Sequence, residues 1–291
     1  MDRDSMNREK LSDAIAELVE TASVDLPPDV DDALKRAMEV EEDGKIQLSA
    51  IIENIELAAR ERKPLCQDTG TQTFFVTVGA DFPFIGIIKE SILEGVKKAT
   101  ERVPLRENAV DVLSGKSSGN IGKNVPYIHW DVVEGGECEI IAFPKGGGSE
   151  NMSALRMLKP SEGLKGIKKF VLEQMVLAGG NPCPPTVVGV GIGGGADIAM
   201  ELAKRSLLRP VGKRSEIREI ADMEEELIDA INSTGIGPMG LGGRTTVLDV
   251  HMEVAARHPA SLPVGIAVQC WADRRAGMTI DSEGEIKWHR N

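Results

Sequence analysis

The spacing of apolar residues changes near residue 62, and this change limits the possible fold more than any other feature of the chain. Before that point apolar residues recur at helical spacing, and after it they occur in short β-branched or alternating runs. Helices first and a mixed sheet with packed helices afterwards predict an α+β fold, not a regular βαβ array. The predicted N-terminal helices span 7–24, 29–41 and 45–60.

We expect one domain over residues 1–291, with a helical part at about 1–62 and a mixed α/β part at about 63–291. The linker Glu134-Gly135-Gly136-Glu137 predicts a β-hairpin between the two strands that flank it. A second hairpin is expected within 278–288. The predicted strands lie at 73–78, 127–133, 138–143, 186–192, 245–254 and 263–270, and the later helices at 162–178, 196–208 and 215–231.

The charge and apolar pattern of the chain exclude several classes of partner. The formal net charge is −12, which argues against a nucleic-acid surface because such surfaces are basic. No apolar run approaches the roughly 20 residues that span a bilayer. The charged N-terminus is followed by no apolar signal segment. We therefore expect a cytoplasmic protein without a membrane or nucleic-acid partner.

Glycine-rich loops are expected to carry the functional site, because their backbone can approach a ligand closely. The run 189–194 fits the G-x-G-x-x-G pattern of dinucleotide-binding folds, but no acidic residue closes a following strand about 20 residues later. A tight turn near Cys183 is therefore favoured over nucleotide binding. The segment 145–151 is either a set of anion-binding backbone N–H groups or a flexible strand-to-helix turn.

Three cysteines lie in loops or at strand ends, whereas Cys138 lies within an alternating strand and is expected to be a buried structural thiol. Cys66, in the run PLCQDTG, is followed by an amide and a carboxylate. Cys183 and Cys270 come 117 and 87 residues later in turn, which matches no zinc or ferredoxin spacing. On spacing alone, three inert thiols is the favoured interpretation. Three thiolates would, however, leave one iron of a [4Fe–4S] cluster open to act as a Lewis acid.

Two further loop residues could take part in chemistry. His258 is a better acid–base candidate than the other histidines because it lies in a loop 12 positions before Cys270. Arg106 carries a guanidinium that can bind a carboxylate through two hydrogen bonds, although most loop arginines are only solvated.

Taken together, six motifs in order resemble the class I, iron–sulfur fumarate hydratases, from about residue 10 to the end of the chain. The chain is most similar to the separate α subunit of the two-subunit form, a pattern shared with L-tartrate dehydratase α subunits. The motifs are PLCQDTG, LREN, KGGGSEN, NPCPPTVVGVGIGG, GIGPMGLGG and HPASLPVGIAVQCWADR.

The resemblance implies roles for eight residues of this sequence. A [4Fe–4S] cluster would be held by Cys66, Cys183 and Cys270, while Cys138 matches no ligand position. The implied catalytic residues are Asp68, which would transfer a proton, and His258. The implied substrate-binding residues are Gln67, Arg106 and Gly147.

The resemblance also implies a hydro-lyase that hydrates fumarate reversibly to (S)-malate in the tricarboxylic acid cycle. Its active site would be completed by a separate β subunit in an α2β2 heterotetramer with α–α contact. The alternative is an α subunit that dehydrates L-tartrate or a related hydroxy-dicarboxylate. A non-catalytic iron–sulfur protein is a second alternative, and a nicotinamide dehydrogenase a third.

Overall fold

A computed structural model of the protein describes residues 6–289. Its contacts divide the chain into two compact units, each built from separated segments. The first contains the described residues up to Pro27, then Asn54–Gly146, then the described residues from Arg274 onward. The second contains Pro28–Glu53 and Gly147–Asp273. The N-terminal helical segments are therefore shared between the two units.

The elements follow in chain order. They are α1 (Arg8–Val24), α2 (Pro28–Val40), α3 (Lys45–Glu61), β1 (Thr71–Gly79), α4 (Ile85–Arg102), β2 (Tyr127–Val133), β3 (Cys138–Lys145), α5 (Gly147–Glu150), β4 (Ala154–Leu158), α6 (Gly163–Ala178), β5 (Thr186–Gly194), α7 (Ala196–Ser206), α8 (Arg218–Asn232), β6 (Val247–Arg257), β7 (Leu262–Gln269), β8 (Ala276–Ile280) and β9 (Ile286–Trp288). Two 3₁₀ turns lie at Pro160–Glu162 and Pro238–Gly240. The α+β class predicted from the sequence is confirmed.

The first unit is a five-stranded sheet in the order β2-β1-β3-β8-β9, with α1 and α4 packed together on its core. Ile15 and Leu18 of α1, Ile92 of α4 and Phe74 of β1 are fully buried members of one apolar cluster. Helix α4 was not expected from the sequence. The pairing of β8 with β9 confirms the hairpin predicted within 278–288.

The hairpin predicted between β2 and β3 is wrong, because β1 lies between these strands. It pairs with β2 in parallel and with β3 in antiparallel register. The linker after β2 passes around the end of β1, where the N–H groups of Gly79 and Asp81 donate to the carbonyl oxygens of Glu137 and Gly135. Neighbouring strands are roughly 5 Å apart, so the linker crosses about twice that distance.

The second unit is a four-stranded sheet in the order β4-β7-β5-β6 with helices on both faces. Side chains alternate along β5, so Val188 and Val190 face the core formed with α6 and α8. On the other face, a Cβ atom at Gly189 or Gly191 would lie within 2.1 Å of a backbone oxygen of α7. The G-x-G pattern thus serves close packing of a helix on a strand rather than the turn expected near Cys183.

Candidate active site

The first-unit loop that follows α3 presents Cys66, Gln67 and Asp68 in succession. It is anchored at Leu65, which is buried and whose N–H donates to the carbonyl of Ser23 at 3.0 Å. The Cys66 side chain is half-buried, and its Sγ lies 3.4 Å from Oε1 of the exposed Gln67. The loop between Pro64 and Gly70 that the sequence predicts is therefore present, and the Cys66 thiol and the Gln67 amide are accessible in it.

The Asp68 carboxylate is held by the backbone around it. Its Oδ1 accepts from the N–H of Gly70 at 3.1 Å, an Asx turn that fixes the side chain relative to the loop. Its Oδ2 lies beside the end of β3, where a Cβ atom at Gly146 would come within 3.2 Å of it. A side chain at this position would therefore crowd the carboxylate. The main-chain oxygen of Asp68 accepts from Nη2 of the buried Arg274.

Arg106 lies on a segment that is bonded to the same loop. Its N–H donates to Oγ1 of the buried Thr69 at 3.0 Å, and Nδ2 of Asn108 donates to the carbonyl of Gly70 at 3.0 Å. The Arg106 side chain itself is exposed. The first unit thus brings four predicted or structurally linked groups together: a thiol, an amide, a carboxylate and a guanidinium-bearing segment.

In the second unit, the backbone connects the Cys183 and Cys270 loops directly. The N–H of Trp271 donates to the carbonyl of Cys183 at 3.2 Å. Cys183 has a φ of +55°, a left-handed conformation that is uncommon for a residue with a Cβ atom. Strand pairing explains why the two loops are neighbours, because Val187 at the start of β5 lies opposite Gln269 at the end of β7.

Gly147 lies beside these two loops. It is exposed and opens the short helix α5. Within that helix, a Cβ atom at Gly148 would lie 3.4 Å from the carbonyl of Asn181, and Oγ of Ser149 lies 3.4 Å from Oε1 of Gln269. In the second unit, helix α5 therefore lies next to the segments that carry both of the unit's predicted cysteine ligands.

His258 is not brought to this group within the unit. It is exposed at the turn between β6 and β7, whereas Cys270 follows the other end of β7. Eight residues of extended strand separate the two ends by about 25 Å. Most of the residues between His258 and Cys270 belong to this extended strand, so their short separation in sequence does not make them neighbours in the unit. A catalytic role for His258 stays a prediction without support from its neighbours in this unit.

Glu41 supports the Cys183 turn, and no sequence motif had indicated it. Its carboxylate is 2% exposed and accepts from the backbone N–H groups of Gly44, Arg244 and Thr245 at 2.8–3.3 Å. The glycine-rich segment ahead of Arg244 in turn contacts the cysteine turn, since the N–H of Met239 donates to the carbonyl of Pro184 at 2.8 Å. A buried acid after a helix and a distant glycine-rich run share no local pattern, so no signal in the sequence pairs them.

Replacing Glu41 with glutamine should destabilise the protein by about 3 kcal/mol, because an amide cannot accept all of these hydrogen bonds and leaves buried N–H groups unpaired. Burial alone would raise the pKa of Glu41, but the hydrogen bonds from Arg244, Thr245 and Gly44 outweigh it and hold the pKa below its usual range. This stabilisation is complete above the ordinary glutamate pKa and is lost as pH falls through the lower, folded value. Urea unfolding from pH 7 to pH 3 measures both effects.

Glu42→Gln is the matched control, because its side chain is 80% exposed and lies 3.8 Å from Arg244. We expect it to change the free energy of unfolding by less than about 0.5 kcal/mol. Equal losses of stability in the two variants would contradict this role of the Glu41 carboxylate. So would a Glu41→Gln variant that keeps the full acid-dependent loss of stability.

The cysteines differ in the chemistry they can offer. Cys138 is fully buried, and burial, with a smaller contribution from Glu139, raises the pKa of its thiol to about 12. Cys66, Cys183 and Cys270 are partly exposed. Three accessible thiols and one inert thiol fit the donor set of a three-cysteine cluster. No group of three or more His, Cys, Asp or Glu side chains arranged to hold a metal ion occurs among residues 6–289, so the cluster stays a prediction.

Comparison with known proteins identifies the family. The family described as fumarate hydratase (Fumerase) matches residues 12–279. The chain belongs to the fumarate hydratase family. The resemblance deduced from six motifs is thereby confirmed, and every predicted site residue lies within the matched range.

Relatives extend over nearly the whole chain. A protein of Methanocaldococcus jannaschii named "Putative L(+)-tartrate dehydratase subunit alpha" is 55% identical over 284 residues, which are 95% of this chain and 100% of the relative. The L(+)-tartrate dehydratase subunit alpha of Escherichia coli strain UTI89 is 38% identical over 278 residues, 94% of this chain and 92% of the relative. None of the helices described between residues 6 and 289 has the length and apolar composition needed to cross a membrane.

Proposed function

We propose that this member of the fumarate hydratase family is the α subunit of a hydro-lyase for small hydroxy-dicarboxylates, with L(+)-tartrate as its first candidate substrate. The observation that carries the proposal is the 55% identity over 95% of the chain to a protein whose name specifies tartrate. The sequence motifs alone favour fumarate as the first candidate and tartrate as the second. The names of the relatives reverse that order, and the family description keeps fumarate as the second candidate.

The cofactor that fits the donor set is a [4Fe–4S] cluster held by Cys66, Cys183 and Cys270. It would supply an electrophile for a hydroxyl or carboxylate oxygen of the substrate. Cys138 would take no part, because its thiol is buried in β3 and its pKa of about 12 keeps it protonated.

The residues of this chain would bind the substrate and move a proton. The Arg106 guanidinium is exposed at the end of a segment fixed to the Asp68 loop, and it would hold a carboxylate through two hydrogen bonds. The Gln67 amide and the backbone of Gly147 would bind further substrate oxygens. One such pre-aimed donor typically lowers the barrier by about 3–4 kcal/mol when charge builds on the oxygen it faces.

Asp68 would carry the proton that dehydration removes from the carbon next to a carboxylate. Its carboxylate is held by Gly70 at one oxygen and lies against the Gly146 backbone at the other, so little rotational freedom remains to be lost. Fixed acid–base groups of this kind typically contribute about 10²–10⁴-fold in rate.

A β subunit is the proposed partner, because the relatives are named as α subunits. Groups that complete the pocket would come from that subunit. An α2β2 assembly, a cytoplasmic location and His258 as a second acid–base group remain parts of the proposal.

The test is anaerobic reconstitution of the chain with its β-type partner, iron and sulfide, followed by assays with L(+)-tartrate and with (S)-malate. We expect kcat/KM for tartrate to exceed that for malate by about 100-fold or more, because a site that hydrogen-bonds the second hydroxyl group discriminates against an acid that lacks it. The chain without its partner should show little turnover.

Faster turnover of malate would select fumarate hydration instead. Turnover of neither acid by a complex with a full complement of iron would overturn the hydro-lyase assignment. An iron–sulfur EPR signal that neither acid changes would then favour the alternative of a non-catalytic iron–sulfur protein. Full activity of the chain alone would contradict the proposed role of the partner.

A further inference from the structure

Arg274 carries a buried charge for which the described residues provide no counter-ion. The side chain is 2% exposed, and its Nη2 donates to the main-chain carbonyl of Asp68 at 2.5 Å. No residue between 6 and 289 accepts a hydrogen bond from its Nε or Nη1. The contact with Asp68 is therefore the one attachment that the described chain gives this guanidinium.

Stability alone does not account for an arginine at this position. Burying a guanidinium is unfavourable unless it is paired and fully hydrogen-bonded, and one bond to a neutral carbonyl does not achieve this. An apolar side chain of similar volume would fill the same space without that cost. The hydrogen bond to the Asp68 backbone is the feature that an apolar side chain could not supply.

The location of Arg274 suits it to fix the loop. It precedes β8, whose Ala276 pairs with Ala142 of β3, and the Asp68 loop precedes β1 on the other side of β3. The Asp68 carboxylate already accepts a hydrogen bond from the Gly70 N–H. Fixing the main-chain carbonyl of Asp68 therefore restricts the orientation of the carboxylate. We propose that Arg274 is a positioning residue that sets the orientation of the Asp68 carboxylate for proton transfer, an inference that rests on the proposed function.

The experiment replaces Arg274 with methionine in the reconstituted complex with the β partner. We expect kcat to fall by about 10-fold or more, because small displacements of a catalytic group reduce the rate steeply, while KM changes by less than about twofold. The midpoint of urea unfolding should stay the same or rise. Arg274→Lys should recover part of kcat, since an ammonium group can donate to the same carbonyl.

Arg102→Met is the control, because Arg102 belongs to the same unit, is 46% exposed and pairs with Asp13 on the surface. It should leave kcat unchanged. If Arg274→Met keeps kcat within twofold of the wild type, the inference is overturned. It is also overturned if this variant unfolds at lower urea and exchanges amide hydrogens faster throughout the unit, because Arg274 would then be a packing residue.

Hydrogen exchange in the same complex separates this inference from the assigned activity. The Gly70 N–H, which donates to Asp68 Oδ1, should exchange about 10-fold faster or more in Arg274→Met, while the strand amides of β1 stay protected. This result is expected even if the wild-type complex turns over neither acid. Unchanged exchange at Gly70 would show that Arg274 does not hold the loop, whatever the activity.

Discussion

Replacing Cys183 with serine should abolish both the iron content and the hydro-lyase activity of the reconstituted complex. Serine is close in shape and can keep the turn, whose backbone bonds to Gly180 and Trp271 do not involve the thiol. The substitution removes one thiolate ligand, and a cluster held by only three thiolates already lacks the usual fourth. Iron and acid-labile sulfide should fall from about four of each per chain to near zero. Chemical analysis, the broad visible absorbance and turnover measure the loss.

Cys138→Ala is the matched control, because Cys138 is buried in β3 and its thiol pKa of about 12 makes it a poor ligand. That variant should lose some stability but keep its iron, sulfide and activity. A Cys183→Ser protein with wild-type iron and turnover would remove Cys183 from the ligand set. Loss of iron from both variants alike would point to a general folding defect instead.

Local patterns predicted the individual elements well and their partners poorly. The strands expected at 127–133 and 138–143 are present as β2 and β3, since β-branched and aromatic alternation is encoded within each segment. Their pairing was predicted wrongly because β1 inserts between them, and that choice depends on packing across the whole sheet. Helix α4 was missed, although its buried Ile88, Ile92 and Val96 lie at helical spacing.

The candidate site divides in the same way. Cys66, Gln67 and Asp68 are adjacent in sequence, so a motif could propose them together. The contacts of Arg274 with Asp68 and of Glu41 with Arg244 join residues about 200 positions apart, and no local signal encodes them. His258 lies 12 positions before Cys270, but strand β7 lies between them, so nearness in sequence does not bring the two residues together within the second unit.

Replacing Asp68 with asparagine should reduce kcat by about 10³-fold, because the variant keeps the shape of the side chain but cannot accept or release a proton at neutral pH. The asparagine oxygen can still accept from the Gly70 N–H, so the turn at the loop is expected to survive. Iron and sulfide content should therefore equal that of the wild type. Steady-state kinetics with L(+)-tartrate, together with metal analysis of the same sample, tests the prediction.

Asp81→Asn provides the comparison, since Asp81 is exposed in the same unit and offers its backbone N–H, not its side chain, to Gly135. Its kcat should match that of the wild type. If Asp68→Asn retains turnover within about threefold, the carboxylate is only a turn-forming group, and the proton must be moved by His258 or by the partner subunit. If turnover and iron disappear together, the carboxylate supports the Cys66 loop rather than the chemistry. Only a loss of kcat at unchanged iron content assigns the proton transfer to Asp68.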